Sequence, residues 1–217
     1  MDNVDNVNVI EVKDVNLIIG KEHILHDISV SFEKGKIHGL VGRNGSGKTM
    51  LMKCICGFVR YTDGEIRVDG LRIGKDIDFP KNIGIIIETP GFIPYYSGYK
   101  NLKLLAGLKN NIGRKEIEET IELVGLDPKL KKAVRKYSLG MRQRLGMAQA
   151  IMENPEILVL DEPMNGLDKQ GVNDMRELLM KLKEQGKTII LASHSTEDIE
   201  ILCDTVHEMD KGVISEM

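Results

Sequence analysis

Polar and hydrophobic residues alternate in two stretches near the beginning of the chain, after a short polar lead-in over residues 1–8. The alternation covers residues 9–12 and 28–32, and a period of two is typical of strands with one buried face. A further β segment is predicted over residues 60–70, and a short strand pair near the end of the chain. We expect the first two strands to belong to an antiparallel β subdomain beside the core.

Four runs of mostly apolar residues predict the strands of a central sheet. They cover Ile37–Val41, residues 83–87, residues 157–160 and Thr188–Ala192. Runs that are almost wholly apolar are typical of strands buried on both faces. Because helical segments alternate with these strands, the sequence predicts an α/β fold with a mostly parallel sheet, whose ligands lie at the carboxyl ends of its strands.

Apolar residues at helical spacing predict the helices. The segments are residues 48–58, Gly98–Lys109, residues 115–124, residues 138–152 and Lys169–Glu184. The fourth of these would begin at Ser138, a favoured N-cap residue. Because no strand is predicted over about residues 90–154, we expect a helical subdomain there, inserted into a core formed by residues 1–89 and 155–217. The whole chain would form one domain.

Composition limits the classes of function. With 217 residues and 41% hydrophobic content, the chain can bury a sizeable core. The formal net charge of −3 gives no basic footprint, so no nucleic-acid partner is expected. Cys54, Cys56 and Cys203 lack zinc-type spacing and are interpreted as small core residues of a cytoplasmic protein. No run approaches the roughly 18 apolar residues of a membrane span, and the first residues lack the features of a signal peptide.

A glycine-rich segment after the predicted strand Ile37–Val41 fits the phosphate-binding pattern G-x-x-x-x-G-K-[ST]. Its residues are Gly42, Arg43, Asn44, Gly45, Ser46, Gly47, Lys48 and Thr49, and Met50 follows in the helix. Glycines let the backbone wrap a phosphate, while amide N–H groups and the helix N-terminus supply positive potential. Lys48 would reach the β- and γ-phosphates, and the Thr49 hydroxyl would ligate Mg²⁺. A chance match has odds on the order of one in a hundred in such a chain, so the motif needs support from other residues.

Two further sets of polar residues follow core strands. Asp161 and Glu162 come directly after residues 157–160, and His194 follows Thr188–Ala192. Asp161 would hold Mg²⁺, because a hard dication prefers carboxylate oxygen, and Glu162 would accept a proton from the attacking water or orient it. His194 would contact the γ-phosphate. Taken alone, the acidic pair could be a solvated strand end and the histidine a structural residue, but the phosphate-binding segment upstream favours the catalytic interpretation.

This set of motifs resembles the ATP-binding cassette subunit of ABC transporters, over about residues 9–213. The family's ordered motifs correspond here to residues 42–49, Glu88, residues 137–143, residues 160–163, residues 165–168 and His194. The resemblance implies a P-loop NTPase core and a Mg²⁺-dependent ATPase, with Lys48, Glu162 and His194 as catalytic residues. It also implies a transmembrane permease and a second ABC subunit as partners, the latter pairing head to tail around ATP. The protein would then lie on the cytoplasmic face of the cell membrane.

The signature segment, residues 137–143, departs from the family's usual L-S-G-G-Q, because its first five residues are Tyr, Ser, Leu, Gly and Met. The chain keeps Ser138 and Gly140, which the resemblance places against the γ-phosphate bound by the opposite subunit. Asp168 would cross the same interface. Ile19 stands where the family usually stacks an aromatic residue on adenine, so an apolar contact is expected instead.

Glu88 stands where the family usually has a glutamine that contacts Mg²⁺ or the attacking water and relays the nucleotide state to the membrane subunit. Its carboxylate would add a negative charge beside the metal, as a candidate ligand with Thr49 and Asp161. This substitution resembles the glutamate loop of ABC subunits associated with lantibiotic and bacitracin-type export or immunity.

The alternatives are an exporter of an unrelated substrate, a soluble cassette ATPase that acts on translation or DNA, and a nonenzymatic nucleotide-binding scaffold. The single cassette and the lack of a basic tract disfavour the soluble ATPase, and the acidic pair Asp161 and Glu162 disfavours the scaffold.

Overall fold

The computed structural model describes residues 7–109 and 111–216, so residues 1–6 of the predicted lead-in lie outside the described residues. The strands are β1 (Asn8–Ile19), β2 (Glu22–Glu33), β3 (Ile37–Val41), β4 (Asp63–Val68), β5 (Leu71–Arg72), β6 (Ile83–Ile86), β7 (Ile157–Asp161), β8 (Thr188–Ala192), β9 (Thr205–Asp210) and β10 (Val213–Glu216). The helices are α1 (Lys48–Ile55), α2 (Gly98–Lys109), α3 (Arg114–Leu123), α4 (Leu139–Ile151), α5 (Lys169–Glu184) and α6 (Thr196–Leu202), with a 3₁₀ turn at Val134–Lys136.

The first strands form a four-stranded antiparallel sheet in the order β2-β1-β4-β5. Strands β1 and β2 contain the predicted residues 9–12 and 28–32 but are much longer. Left-handed backbone at Asp14 (φ 50°) and Asp27 (φ 46°), with register shifts beside them, marks β-bulges. Because a bulge interrupts the alternation of side chains, the sequence pattern did not reveal the full length of either strand.

The central sheet has the order β10-β9-β3-β8-β7-β6. All neighbouring pairs from β9 to β6 are parallel, and β10 pairs antiparallel with β9, so the prediction of a mostly parallel sheet is confirmed. Hydrophobic clusters cover both faces, which explains the continuous apolar runs. Strand β8 lies between β3 and β7, and the residues that follow these three strands therefore meet at one edge of the sheet.

The segment over residues 90–154 contains α2, α3, the 3₁₀ turn and α4, and no strand among its described residues. Helix α4 packs tightly on β6 of the central sheet, since a Cβ atom added to Gly84 would lie only 2.0 Å from the carbonyl oxygen of Ala150. Leu145 and Met147 of α4 share a hydrophobic cluster with Leu158 of β7. The helical segment thus packs against the core through α4.

The end of one helix and the presence of another differ from the prediction. Helix α1 ends at Ile55, not at residue 58, because the chain turns at Gly57 with left-handed backbone (φ 78°). Helix α6 was not predicted because its seven residues are too few for a clear apolar period, although Ser195 caps its N-terminus.

The cysteines have the predicted character: Cys54 and Cys56 are buried, Cys203 is half-buried, and burial raises the pKa of all three thiols to about 12.

Candidate active site

The glycine-rich segment forms the loop between β3 and α1, as predicted. Its first residue, Gly42, has φ 144°, and a Cβ atom there would lie 2.2 Å from the carbonyl oxygen of Met209 in β9. No other residue type fits this position without moving the backbone. The Lys48 ammonium lies inside the loop, donating hydrogen bonds to the carbonyl oxygens of Gly42 at 2.7 Å and Arg43 at 3.1 Å. Burial lowers the pKa of Lys48, while Glu162 and Asp161 raise it.

Thr49 and Asp161 lie together although 112 residues separate them. The Thr49 hydroxyl, in the first turn of α1, donates to Asp161 Oδ2 at 2.7 Å, at the carboxyl end of β7. A hydroxyl and a carboxylate oxygen side by side are the hard donors that Mg²⁺ prefers. Among the described residues no group of three or more His, Cys, Asp or Glu side chains could hold a metal, so a cation here would need further oxygens from phosphate and water. The donor set fits a magnesium ion that binds together with a nucleotide.

Glu162 and His194 face each other at the ends of β7 and β8. The His194 main-chain N–H donates to Glu162 Oε2 at 3.4 Å, and His194 Nε2 lies 3.2 Å from Oε1. Oε1 is nevertheless buried with no hydrogen bond. The Glu162 backbone is left-handed (φ 51°), an uncommon conformation for a residue with a side chain. Burial is the main cause that raises the pKa of Glu162; Asp161 raises it further, and His194 and Lys48 lower it.

These residues line one cavity of about 620 Å³. Of the predicted site residues, the cavity brings together Asn44, Gly45, Ser46, Gly47, Lys48, Thr49, Met50, Glu88, Asp161, Glu162 and His194. The sequence had not indicated that Ile24, Leu139, Arg142 and Asn165 also line it. Gln143 does so too, and its side-chain amide donates to the main-chain oxygen of Glu162 at 3.1 Å. Its place in the signature segment was the one available signal for this role.

Six predicted nucleotide contacts do not line this cavity: Gly42 and Arg43 at the start of the loop, and four residues from other parts of the chain. Ile19 is at the β1–β2 turn with 50% of its surface exposed. Ser138 caps α4, accepting a hydrogen bond from the Met141 main-chain N–H at 3.2 Å, as expected for an N-cap. Asp168 caps α5 in the same way, through the Gly171 N–H at 2.8 Å. Gly140 lies in the first turn of α4, where an added Cβ would be 2.9 Å from the Gly166 oxygen. Within one chain, therefore, Ser138, Gly140 and Asp168 have structural roles.

Glu88 lies in the loop after β6, at the rim of the cavity. Its carboxylate forms an ion pair with Lys53 of α1, with 2.6 Å between Oε1 and Nζ. Its predicted role as a metal ligand stays a prediction, since the carboxylate is engaged by Lys53 and not by Thr49 or Asp161.

Comparison with known proteins decides what kind of nucleotide site this is. The sequence matches the ABC transporter family over residues 25–165. The chain belongs to the ABC transporter family. It is 46% identical to an uncharacterized ABC transporter ATP-binding protein, YybJ, of Bacillus subtilis, over 94% of each chain.

Other ABC relatives carry more specific names. The bacitracin transport ATP-binding protein BcrA of Enterococcus faecalis is 42% identical, over 96% of this chain and 68% of its own length. The lantibiotic transport ATP-binding protein SrtF of Streptococcus pyogenes is 34% identical, over 95% of this chain and 89% of its own.

Solved ABC structures share the fold. An ATP-binding subunit of an ABC transporter superposes with a TM-score of 0.86 at 25% identity, covering 96% of this chain and 89% of that one. A cassette solved as a post-hydrolysis dimer with ADP and phosphate gives a TM-score of 0.87 at 23% identity, covering 96% and 97%. The predicted ABC cassette fold, ATP binding and ATPase class are thus confirmed.

No helix among the described residues is long and apolar enough to cross a bilayer.

Proposed function

We propose that this ABC subunit hydrolyses ATP with Mg²⁺ to drive a separate transmembrane permease on the cytoplasmic face of the membrane, and that the complex exports, or gives immunity to, a peptide antibiotic. One observation carries the catalytic part: Lys48, the Thr49–Asp161 pair and the Glu162–His194 pair line the same cavity. The names of the bacitracin and lantibiotic relatives support the cargo class.

The phosphates of ATP would lie against the amides of residues 43–48 at the N-terminus of α1. Lys48 would exchange its contacts with loop carbonyls for the β- and γ-phosphate oxygens. Thr49 and Asp161 would hold Mg²⁺, which supplies positive charge to the same oxygens. Once Lys48 has made this exchange, the groups around the phosphates are held in place, so little reorganisation is needed when charge shifts in the transition state.

Hydrolysis would use Glu162 as the general base. Its carboxylate lines the cavity and Oε1 has no hydrogen bond, so the group has an acceptor site available for the proton of a water that attacks the γ-phosphorus. The new bond joins the water oxygen to phosphorus as the bond to the β–γ bridging oxygen breaks, giving ADP and inorganic phosphate. His194 would hold a γ-phosphate oxygen and orient Glu162, which lies 3.2 Å from it.

A second cassette, identical or different, would complete the site. Ser138 and Gly140 lie outside the cavity of their own chain, at the N-terminus of α4, where helix N–H groups favour an anion. A head-to-tail partner would bring them to the γ-phosphate, and Asp168 would cross the interface. Ile19 would give the adenine an apolar contact without aromatic stacking.

The test uses Glu162→Gln and Ser138→Asp in the purified protein. Glu162→Gln should bind ATP, form a stable dimer in light-scattering measurements and lose hydrolysis by about 10²-fold or more, because the base is absent. Ser138→Asp keeps an N-cap oxygen but adds a negative charge that should prevent dimer formation with ATP. Near-normal turnover of Glu162→Gln, or unchanged dimerisation of Ser138→Asp, would contradict the proposed mechanism.

The same variants test the cargo in cells. A host that lacks the gene should become more sensitive to bacitracin or a lantibiotic, and wild type but not Glu162→Gln should restore resistance, with a transmembrane protein co-purifying. If the wild-type gene restores resistance to neither peptide although the permease is present, the result favours an exporter of an unrelated substrate. A protein that hydrolyses ATP and binds no membrane partner would be a non-transport ATPase.

A further inference from the structure

The ion pair between Lys53 and Glu88 lies one helical turn from the predicted metal ligand Thr49. Lys53 follows Thr49 by four residues in α1, so the two side chains share one face of the helix. The Glu88 carboxylate, 2.6 Å from the Lys53 ammonium, is therefore kept beside the site but away from the Thr49–Asp161 pair. Among the described residues, Lys53 is the one side chain that bonds to Glu88.

The loop that carries Glu88 borders two cavities. Glu88 and Thr89 line the active-site cavity, Ile87 lines an adjacent groove of about 830 Å³, and Pro90 lines both. The groove is bordered on its other side by Leu105 and Leu108 of α2. A change in the position of Glu88 would therefore move the wall shared by the nucleotide site and this groove.

Two properties suit Glu88 to occupying more than one position. Its backbone is left-handed (φ 59°), which costs free energy that a side-chain contact has to offset. The ion pair is also open to solvent, with 23% of the Lys53 side chain and 64% of the Glu88 side chain exposed. Exposed ion pairs contribute little to stability, so this one can be broken readily by a stronger competing charge.

We propose that Lys53 is a positioning residue that holds Glu88 off the metal site, and that bound Mg²⁺ competes with the Lys53 ammonium for the Glu88 carboxylate. Lys53 thereby sets the cation requirement of ATP binding and the resting position of the loop over residues 87–90. The proposal rests on the proposed Mg²⁺–ATP site and assigns a role to a residue outside it.

A double-mutant cycle measures this competition without turnover. In a Glu162→Gln background, a fluorescent ATP analogue at fixed concentration is titrated with MgCl₂, and the midpoint is compared for Lys53→Gln, Glu88→Gln and the double variant. Lys53→Gln should lower the midpoint by about three- to fivefold when Glu88 is present, because the freed carboxylate can reach the cation and an exposed ion pair is worth up to about 1 kcal/mol. In the Glu88→Gln variant the same change at Lys53 should shift the midpoint less than twofold, since the only remaining effect is the loss of a positive charge away from the cation.

Equal shifts in the two backgrounds would overturn the proposal, because they show that Lys53 acts without Glu88. Lys53→Arg should keep the wild-type midpoint, as it retains the positive charge. Lys183→Gln is the matched control. Lys183 also forms an ion pair, with Asp204 at 2.5 Å, and its side chain is 26% exposed, close to the 23% of Lys53. It lies outside the active-site cavity. If the parent Glu162→Gln protein binds no nucleotide with Mg²⁺, the proposed function fails instead.

Hydrogen exchange gives a second readout that does not depend on nucleotide. In the nucleotide-free protein, the amides of residues 87–89 should exchange faster in Lys53→Gln and in Glu88→Gln than in wild type. The charge exchange Lys53→Glu with Glu88→Lys should restore slow exchange by restoring the pair. Unchanged exchange in both single variants would show that the ion pair does not position the loop.

Discussion

At the scale of single residues, Glu162 shows how position changes the chemistry of a carboxylate. It follows β7, has left-handed backbone, and is half-buried, with Oε1 packed against protein atoms and without a hydrogen bond. Removing a carboxylate from water disfavours its charged form, and the neighbouring Asp161 has the same effect. His194 and Lys48 act in the opposite direction, but burial dominates and the pKa is raised. A raised pKa makes Glu162 a better proton acceptor than an exposed glutamate.

We therefore predict that the acid limb of kcat/KM for ATP hydrolysis lies at higher pH than the ordinary glutamate pKa of about 4.3. Glu162 accepts a proton only when ionised, so activity falls as pH drops through its raised pKa. His194→Ala removes a group that lowers this pKa and should move the limb further upward, besides reducing the rate. Steady-state rates at saturating Mg²⁺ between pH 4 and 8 check this. An acid limb near pH 4.3 in both proteins would mean that burial does not raise the pKa of Glu162.

Sequence alone predicted the central groups of the cavity because their motifs support one another. Lys48 and Thr49 belong to a spaced motif, and Asp161 follows an apolar strand. The pair formed by Lys53 and Glu88 could not be predicted in this way. These residues are 35 positions apart, and their contact depends on the rotation of α1 and on where it lies relative to the loop after β6. Such contacts are properties of packing, not of local pattern.

At the scale of elements, the contact between α4 and β6 connects the helical segment with the central sheet. Gly84 of β6 lies against the backbone of Ala150, so the two elements approach more closely than side chains would allow. Because the signature residue Ser138 is the N-cap of α4, this close contact also fixes where the signature segment lies relative to the core.

Gly84→Ala should therefore lower the free energy of unfolding by about 1–3 kcal/mol or more, since the added methyl group meets a carbonyl oxygen that cannot move without shifting α4. Urea denaturation followed by circular dichroism measures the change. The control is Gly107→Ala in the exposed part of α2, where an added Cβ meets nothing within 4 Å. It should raise the stability by up to about 1 kcal/mol, because alanine favours helix. A similar small effect of both variants would show that the α4–β6 contact can relax.

The existence and order of the long elements followed from the sequence, whereas their ends did not. Continuous apolar runs identified the strands of the parallel sheet, and apolar residues at helical spacing identified α2, α3, α4 and α5. The ends of β1 and β2 were missed because bulges at Asp14 and Asp27 break the alternation while hydrogen bonding continues. Helix α6 was missed because seven residues hold fewer than two helical turns of pattern.

At the scale of the whole molecule, two buried histidines lie where the central sheet meets the antiparallel sheet. His38 of β3 bonds through Nδ1 to the Thr205 hydroxyl at 2.7 Å and through Nε2 to the Glu33 carbonyl oxygen at 2.9 Å. Phe32 of β2 packs edge-on against His38 and His207, with ring centroids 5.2 and 5.7 Å apart. The two rings thus join strands of both sheets.

Burial lowers the pKa of both histidines, and His207 lowers that of His38 further. The pKa of His38 is raised by Glu33 and Asp204, and that of His207 by Glu216, but neither effect reverses that of burial. A histidine with a lowered pKa binds protons more readily in the unfolded chain, where its pKa is about 6.5. The stability that these residues contribute is thus present above pH 6.5 and is lost as pH falls from there through the lowered folded-state pKa.

We predict that the free energy of unfolding decreases below pH 6.5, by at most about 1.4 kcal/mol per pH unit for each histidine. His207→Phe keeps a ring beside Phe32 but cannot take up a proton, so it should reduce this slope, even if it alters the stability at pH 7.5. His23→Gln, which removes an exposed histidine of β2, should retain the wild-type slope because both buried rings remain. Urea denaturation at pH 7.5, 6.5 and 5.5 separates the outcomes. If His207→Phe and wild type lose stability equally, the acid sensitivity of the molecule arises away from this junction.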